Sequence, residues 1–334
     1  MTGPNNTVRV QFVDALRGIA SLAVVLYHYG ERIHWNNWGN MGVPMFFVLS
    51  GFVIAMSVGT RPPMSLSFLG RFALRRAVRL DPPYWMSIAA IIVIGLVAAK
   101  LVGTNPKEAT IAQVLSHLVY LQDFLGYEQL LVVYWTLCYE IQFYIALILL
   151  LWLGQALRMT MPVMAVSLLL SMVDRHLEFT SDAFMGRFWF CFAIGALVYW
   201  AYSGALKASW TIAALVLVKA FGLYTQDGYA ITASLTASIL FVVISLGCAS
   251  FGSSAPLQFL GRISYSLYLT HLIGGWLVMT IALKFLPPWA AIVIGVAASI
   301  AGAWMFYLIV ESPAARLSKR VRVDMRRDLT GRRW

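Results

Sequence analysis

The sequence predicts an all-α polytopic membrane protein, with about ten transmembrane helices in one bundle and both termini cytoplasmic. Three observations carry this expectation. The first is composition: of 334 residues, 60% are hydrophobic and only 12% are charged, with a mean hydropathy of +0.76. A soluble domain carries about 25% charged residues, so this chain cannot coat a globule of its size. A soluble enzyme and a disordered chain are both excluded. The second is spacing. Apolar runs close to the roughly 20 residues of a bilayer crossing recur at 11–30, 40–58, 83–102, 132–153, 160–173, 184–203, 207–223, 229–250, 264–282 and 288–311. The third is charge. With a cytoplasmic N-terminus, seventeen Lys and Arg fall on the cytoplasmic side and five on the other, as the positive-inside rule requires. The net charge of +11 is therefore topological and implies no nucleic-acid partner.

The elements justify themselves in order. The first run follows a polar MTGPNNTVRV and lacks an A-x-A-like cleavage site, so it reads as a span and not as a secretory signal. The second, FFVLSGFVIA, carries the small pair Ser50-Gly51, which lets another helix or an extended ligand come close. A basic loop, RFALRRAVRLDPPYW, leads into the third. Segment 111–125 (IAQVLSHLVYLQDFL) has apolar residues at helical spacing and suits the membrane interface or the bundle mouth. The fourth span opens YWTLCYEIQFY, the fifth is short, and the ninth opens GRISYSLYLTH. The tenth closes at Glu311, just before Pro313. Residues 1–312 thus form the transmembrane domain and 313–334 a basic cytoplasmic tail suited to anionic lipid. Cys138, Cys191 and Cys248 lie in apolar stretches without metal-ligand spacing, so no disulfide framework and no metal site is expected.

Charge inside a bilayer is costly, so intramembrane polar groups are candidates for function. Arg17 and His28 are eleven residues apart on the first span. That is roughly 16 Å along the axis and close to three full turns, so both point to one side. Glu140 is the single acidic residue of its span and lies near the estimated depth of His28. A carboxylate beside an imidazole orients the ring and strengthens it as a general base. Arg76 and Arg79 share one helical face, and paired guanidiniums suit phosphate. Tyr268 and His271 are three apart on the ninth span, and Tyr139 flanks Glu140. Each has an ordinary alternative. Arg17 can snorkel, Arg76 and Arg79 can be mere topological charges, and Asp81 can pair with one of them. Glu140 and His271 can be structural hydrogen-bonders, and Glu311 can anchor a loop arginine. Ser50 lacks the flanking pattern of a nucleophile elbow.

Six segments together resemble the membrane-bound acyltransferase family 3, the bacterial O-acyltransferases of surface and secreted glycans. They are FVDALRGIASLAVVLYH, GVPMFFVLSGFVI, RRAVRLDPPYW, VYWTLCYEIQFYI, LGRISYSLYLTHL and IVESPAARL, in the family's order. The resemblance implies a ten-helix core in the bacterial cytoplasmic (inner) membrane. It implies acyl-coenzyme A, acetyl by default, as the donor substrate, without a metal. The donor's phosphates would meet Arg76 and Arg79, with Arg17 deeper in, and its pantetheine arm would thread past Ser50 and Tyr268. His28, oriented by Glu140, would then deprotonate a hydroxyl of a glycan acceptor, with polysaccharide assembly machinery as a further partner. Two departures stand out. Pro44 occupies a position where many members have Asp, and the extra span and hydrolase-like domain of some members are not expected. The competing expectation is a secondary transporter or flippase that uses His28, Glu140 and Arg17 as a relay. Such a protein would show paired broken helices in two related halves, which the sequence lacks.

Overall fold

The computed structural model describes residues 6–32, 41–102, 109–321 and 323, and among these every regular element is helical. Helix α1 spans Asn6–Arg32, α2 Gly42–Val58, α3 Leu66–Val102, α4 Ile111–Leu118, α5 Trp135–Ala156 and α6 Thr160–Leu177. Helix α7 spans Trp189–Tyr202, α8 Ala208–Thr225 and α9 Gly228–Ser245. The last two are long rods: α10 runs over Ala255–Ala282 and α11 over Pro288–Ser318. Each of the ten apolar runs falls within or overlaps one of these helices. Among the described residues, seven helices are long and apolar enough to cross a membrane: those of α1, α3, α5, α8, α9, α10 and α11. The helices α2, at 17 residues, and α7, at 14, are shorter, and α6 carries Asp174 and Arg175 in its last turn.

Two boundaries differ from expectation. The basic segment before the third span is not a loop, because α3 runs unbroken from Leu66 to Val102 with Pro82 and Pro83 inside it. Phe68 and Phe72 are buried and hold the first turns against the bundle, while Tyr265 donates its hydroxyl to the Leu80 carbonyl beside the prolines (3.0 Å). Proline is tolerated in membrane helices when neighbours re-satisfy the backbone in this way. At the other end, α11 continues through Pro313 to Ser318, and the rest of the basic tail, apart from residues 319–321 and 323, lies outside the described residues.

The tightest packing is between α1 and α10 and between α2 and α7. Both pairs meet at glycine. A Cβ on Gly51 would strike the Phe192 carbonyl and one on Gly195 the Val48 carbonyl, so α2 and α7 touch backbone to backbone. A Cβ on Gly18 would meet Gly261, and one on Gly261 would meet the Asp14 carbonyl. Around this frame the buried aromatics Phe47, Phe143 and Phe192 stack at 4.3–4.4 Å between ring centres. Outward faces of α5, α6, α8 and α11 expose Leu, Ile and Val, as lipid-facing helices do. Buried hydroxyls such as Ser21 and Ser264 return their proton to a carbonyl of their own helix.

Segment 111–130 forms α4 and a run of turns. Thr110 caps α4 by accepting from the Gln113 N–H (3.1 Å). Ile111, Leu115 and Val119 form an exposed apolar stripe, while His117 is buried beneath it. The His117 Nδ1 faces the Gln113 carbonyl (2.8 Å) and its Nε2 accepts the Leu130 N–H (3.1 Å). Burial lowers its pKa from the ordinary value.

Candidate transfer site

A cavity of about 810 Å³, counting its open mouth, lies between α1, α2, α3, α5 and α10. Arg17, Arg76 and Arg79 bring three guanidiniums to its wall, and Ser50, Glu140, Tyr144 and Tyr268 share it. The two α3 arginines are there because α3 is helical at that point, which sets residues three apart on one face. Arg76 donates from Nη2 to the Ser57 hydroxyl (2.9 Å) and lies 5.6 Å from the ring centres of both Phe72 and Tyr144. Arg17 and Arg79 make no hydrogen bond or ion pair among the described residues. The carboxylates of Asp14 and Glu311 attract both at longer range, and guanidiniums at low dielectric are strong donors to a bound anion.

Glu140 belongs to this cavity and not to His28. Its Oε1 accepts hydrogen bonds from the Ser50 hydroxyl (3.0 Å) and from the Tyr144 hydroxyl. The expected pairing of Glu140 with His28 is therefore not made: the carboxylate is engaged by its own neighbours on α2 and α5. The group beside His28 is Glu31, whose Oε2 is 3.5 Å from the His28 Nδ1. Sequence reading passed over Glu31 because it sits one residue beyond the apolar run. The i,i+3 spacing on α1 was the available signal.

Tyr268 joins the cavity to the histidines. Its hydroxyl donates to the Val133 carbonyl (3.0 Å) and is 2.6 Å from the Thr136 hydroxyl. Three residues on, α10 widens into a π turn, His271–Gly275. The His271 ring lies 5.4 Å, centre to centre, from the His28 ring. The described polar groups thus line up as a column: three arginines, then Ser50 and Glu140, then Tyr268, then His271 and His28, and last Glu31.

Tyr139, expected to contact a ligand, is not on the cavity wall. Its hydroxyl donates to the Asp182 carbonyl, and with Gln142 it braces the turn before α7. Among the described residues Asp81 pairs with no arginine; it accepts the Tyr120 hydroxyl (2.8 Å). Glu311 is hydrogen-bonded by Ser266, its Oε2 accepting both the backbone N–H (3.1 Å) and the hydroxyl, and it attracts Arg79 and Arg17 at longer range. Lys219 lies apart, in a groove between α8 and α9 lined by Leu215, Val216 and Phe241. Among the described residues no cluster of three His, Cys, Asp or Glu could hold a metal.

A family profile described as an acyltransferase domain, Acyl_transf_3, matches residues 10–308. The chain belongs to this acyltransferase family. A relative from Komagataeibacter xylinus, named as a membrane-bound transacylase, BcsY, is 29% identical over 94% of this chain and 85% of its own length. The peptidoglycan O-acetyltransferase OatA of Listeria monocytogenes is 30% identical over 41% of this chain. This chain spans only 23% of that protein's length. A Staphylococcus aureus protein named as an O-acetyltransferase is 30% identical over 49% of this chain and 26% of its own. No solved structure matches the chain. Pro44 is buried in the first turn of α2.

Proposed function

We propose that this protein is an integral membrane O-acyltransferase with ten spans and both termini cytoplasmic. It takes an acyl group, acetyl by default, from cytoplasmic acyl-coenzyme A and passes it to a hydroxyl of a glycan on the far side of the inner membrane. One observation carries the reading: a single column of polar groups leads from three arginines to two histidines. A donor with a phosphorylated head, a thin arm and a terminal thioester has that order of needs.

Arg17, Arg76 and Arg79 hold the donor's phosphates, where charge-assisted hydrogen bonds are worth about 1.5–3 kcal/mol each. Glu140 fixes Ser50 and Tyr144 around the arm. The arm passes Tyr268 and presents its thioester at His28. His28 takes the proton of the acceptor hydroxyl as that oxygen attacks the thioester carbonyl, and returns it to the departing thiolate. Glu31 steadies the imidazolium formed in between. The name of the Listeria relative, a peptidoglycan O-acetyltransferase, supports a sugar hydroxyl as acceptor, and the reading includes polysaccharide assembly machinery as a partner.

The test uses purified protein and acetyl-coenzyme A labelled in its acetyl group, with surface glycan of the producing cells as acceptor. Label should reach the glycan with the natural chain and fall at least 100-fold in His28→Ala. Undiminished transfer by His28→Ala would sink the assignment of His28. Substrate counterflow without acyl transfer would favour a transporter.

A further inference from the structure

His271 is completely buried, and its two ring nitrogens have different surroundings. Nδ1 faces the carbonyl oxygens of Leu267 and Tyr268, at 3.0 and 2.9 Å. Carbonyls only accept, so Nδ1 carries the proton and Nε2 carries the lone pair. That Nε2 is buried and no described donor reaches it. An unmet buried acceptor costs about 1–3 kcal/mol, and native folds retain few of them without a reason.

The ring is held where it is. Tyr29, itself buried, donates its hydroxyl to the His271 carbonyl (2.8 Å) and hydrogen-bonds Ser299 of α11. His271 also opens the π turn of α10, and such turns recur at functional sites. Its place in the column is specific. Tyr268, one turn before it, lines the arginine cavity, and His28 follows at 5.4 Å. Beyond His28 comes Glu31, whose side chain is 46% exposed. A donor that runs along α10 from the arginine cavity passes Tyr268 one turn before it reaches His271.

What such a donor offers at that point is limited. Between the last amide of the pantetheine arm and the sulfur lie only two methylenes, and that amide N–H is the one hydrogen-bond donor near the thioester. From amide nitrogen to sulfur is roughly 4 Å by standard bond lengths, comparable with the spacing of the two rings.

We propose that His271 Nε2 accepts a hydrogen bond from the amide N–H nearest the sulfur of the acyl donor, and so sets the thioester in register with His28. This rests on the acyl-coenzyme A reading above. His271 is on this view a donor-binding residue with a measuring function, distinct from the proton transfer at His28. Its lone pair is buried with no described donor to meet it, which suits an acceptor awaiting a ligand N–H.

The experiment compares two donors: acetyl-coenzyme A, and an analogue in which that one amide is replaced by an ester, keeping the carbonyl and losing the N–H. The full chain in lipid nanodiscs is assayed for thiol release with glycan acceptor present. The natural chain should prefer the amide donor in kcat/KM by at least about fivefold. His271→Leu should lose that preference by falling only with the amide donor. His271→Gln, whose side-chain oxygen can accept, should recover part of it. No preference in the natural chain overturns the proposal, and this result does not depend on any variant folding. A preference that survives in His271→Leu overturns it as well. If the natural chain releases no thiol from acetyl-coenzyme A, the donor reading itself fails and takes the proposal with it.

Discussion

Ser50 donates its hydroxyl to Glu140 across the α2–α5 interface, at 3.0 Å, and this contact ties the only carboxylate of α5 to the arginine end of the cavity. From it follows a prediction that separates two roles for Glu140. Glu140→Ala frees Ser50 and Tyr144 and loosens the donor pocket. The KM for acetyl-coenzyme A should rise about tenfold, while the pH profile of kcat stays that of the natural protein. A shifted kcat profile with unchanged KM would return Glu140 to His28.

Among the described residues Arg79 and Arg17 donate no hydrogen bond, and only Asp14 and Glu311 attract them at longer range, so a bound anion should depend on them heavily. Arg79→Ala is expected to weaken binding of coenzyme A by about 10- to 100-fold, the scale of one charge-assisted contact of 1.5–3 kcal/mol. Arg79→Lys should recover only part, since an ammonium lacks the planar fork. Titration with coenzyme A and with its form lacking the 3′-phosphate reads out which phosphate is held. Equal affinity of Arg79→Ala and the natural chain would dismiss the site.

Gly51 and Gly195 leave no room between α2 and α7. Gly195→Ala forces a methyl group against the Val48 carbonyl, and overpacking of this kind costs about 1–3 kcal/mol. A lower melting temperature in detergent, with activity falling in step because Ser50 rides on α2, is the expected result. Gly302→Ala, at a position with open space around the added carbon, is the control and should melt as the natural chain does.

His117 gives a pH effect on stability away from the site. Its folded pKa is lowered by burial, while the unfolded chain titrates near the usual value of about 6.5. Above that pH both states are neutral and nothing is lost. As pH falls below it, the unfolded state takes up a proton that the folded state resists, so stability declines. The melting temperature should drop between pH 7.5 and 5.5, and by less in His117→Gln. Equal drops in both would remove His117 as the cause.

The helices were legible because hydropathy reports on the solvent, and lipid is the solvent for most of this surface. All ten apolar runs coincide with helices for that reason. What the sequence hid depends on neighbours. Pro82 and Pro83 read as breakers, yet α3 passes through them inside the bundle. Glu140 and His28 seemed level when depth was counted along each helix separately, but Ser50 and Tyr144 are closer to the carboxylate than any histidine. Glu31 fell outside the apolar run and so outside attention. The unmatched Nε2 of His271 is a property of three-dimensional packing alone, and no spacing rule reveals it.

The glycine contacts have a mechanical meaning. With backbone pressed on backbone, α1 and α10 make one stiff plate, and α2 and α7 make another. His28 and His271 are both mounted on the first plate, and Ser50 on the second. A Cβ on Gly42 would strike the Ala20 carbonyl, so the second plate is itself seated on the first. The gauge between the two imidazoles is set within one plate, by the packing of α1 on α10.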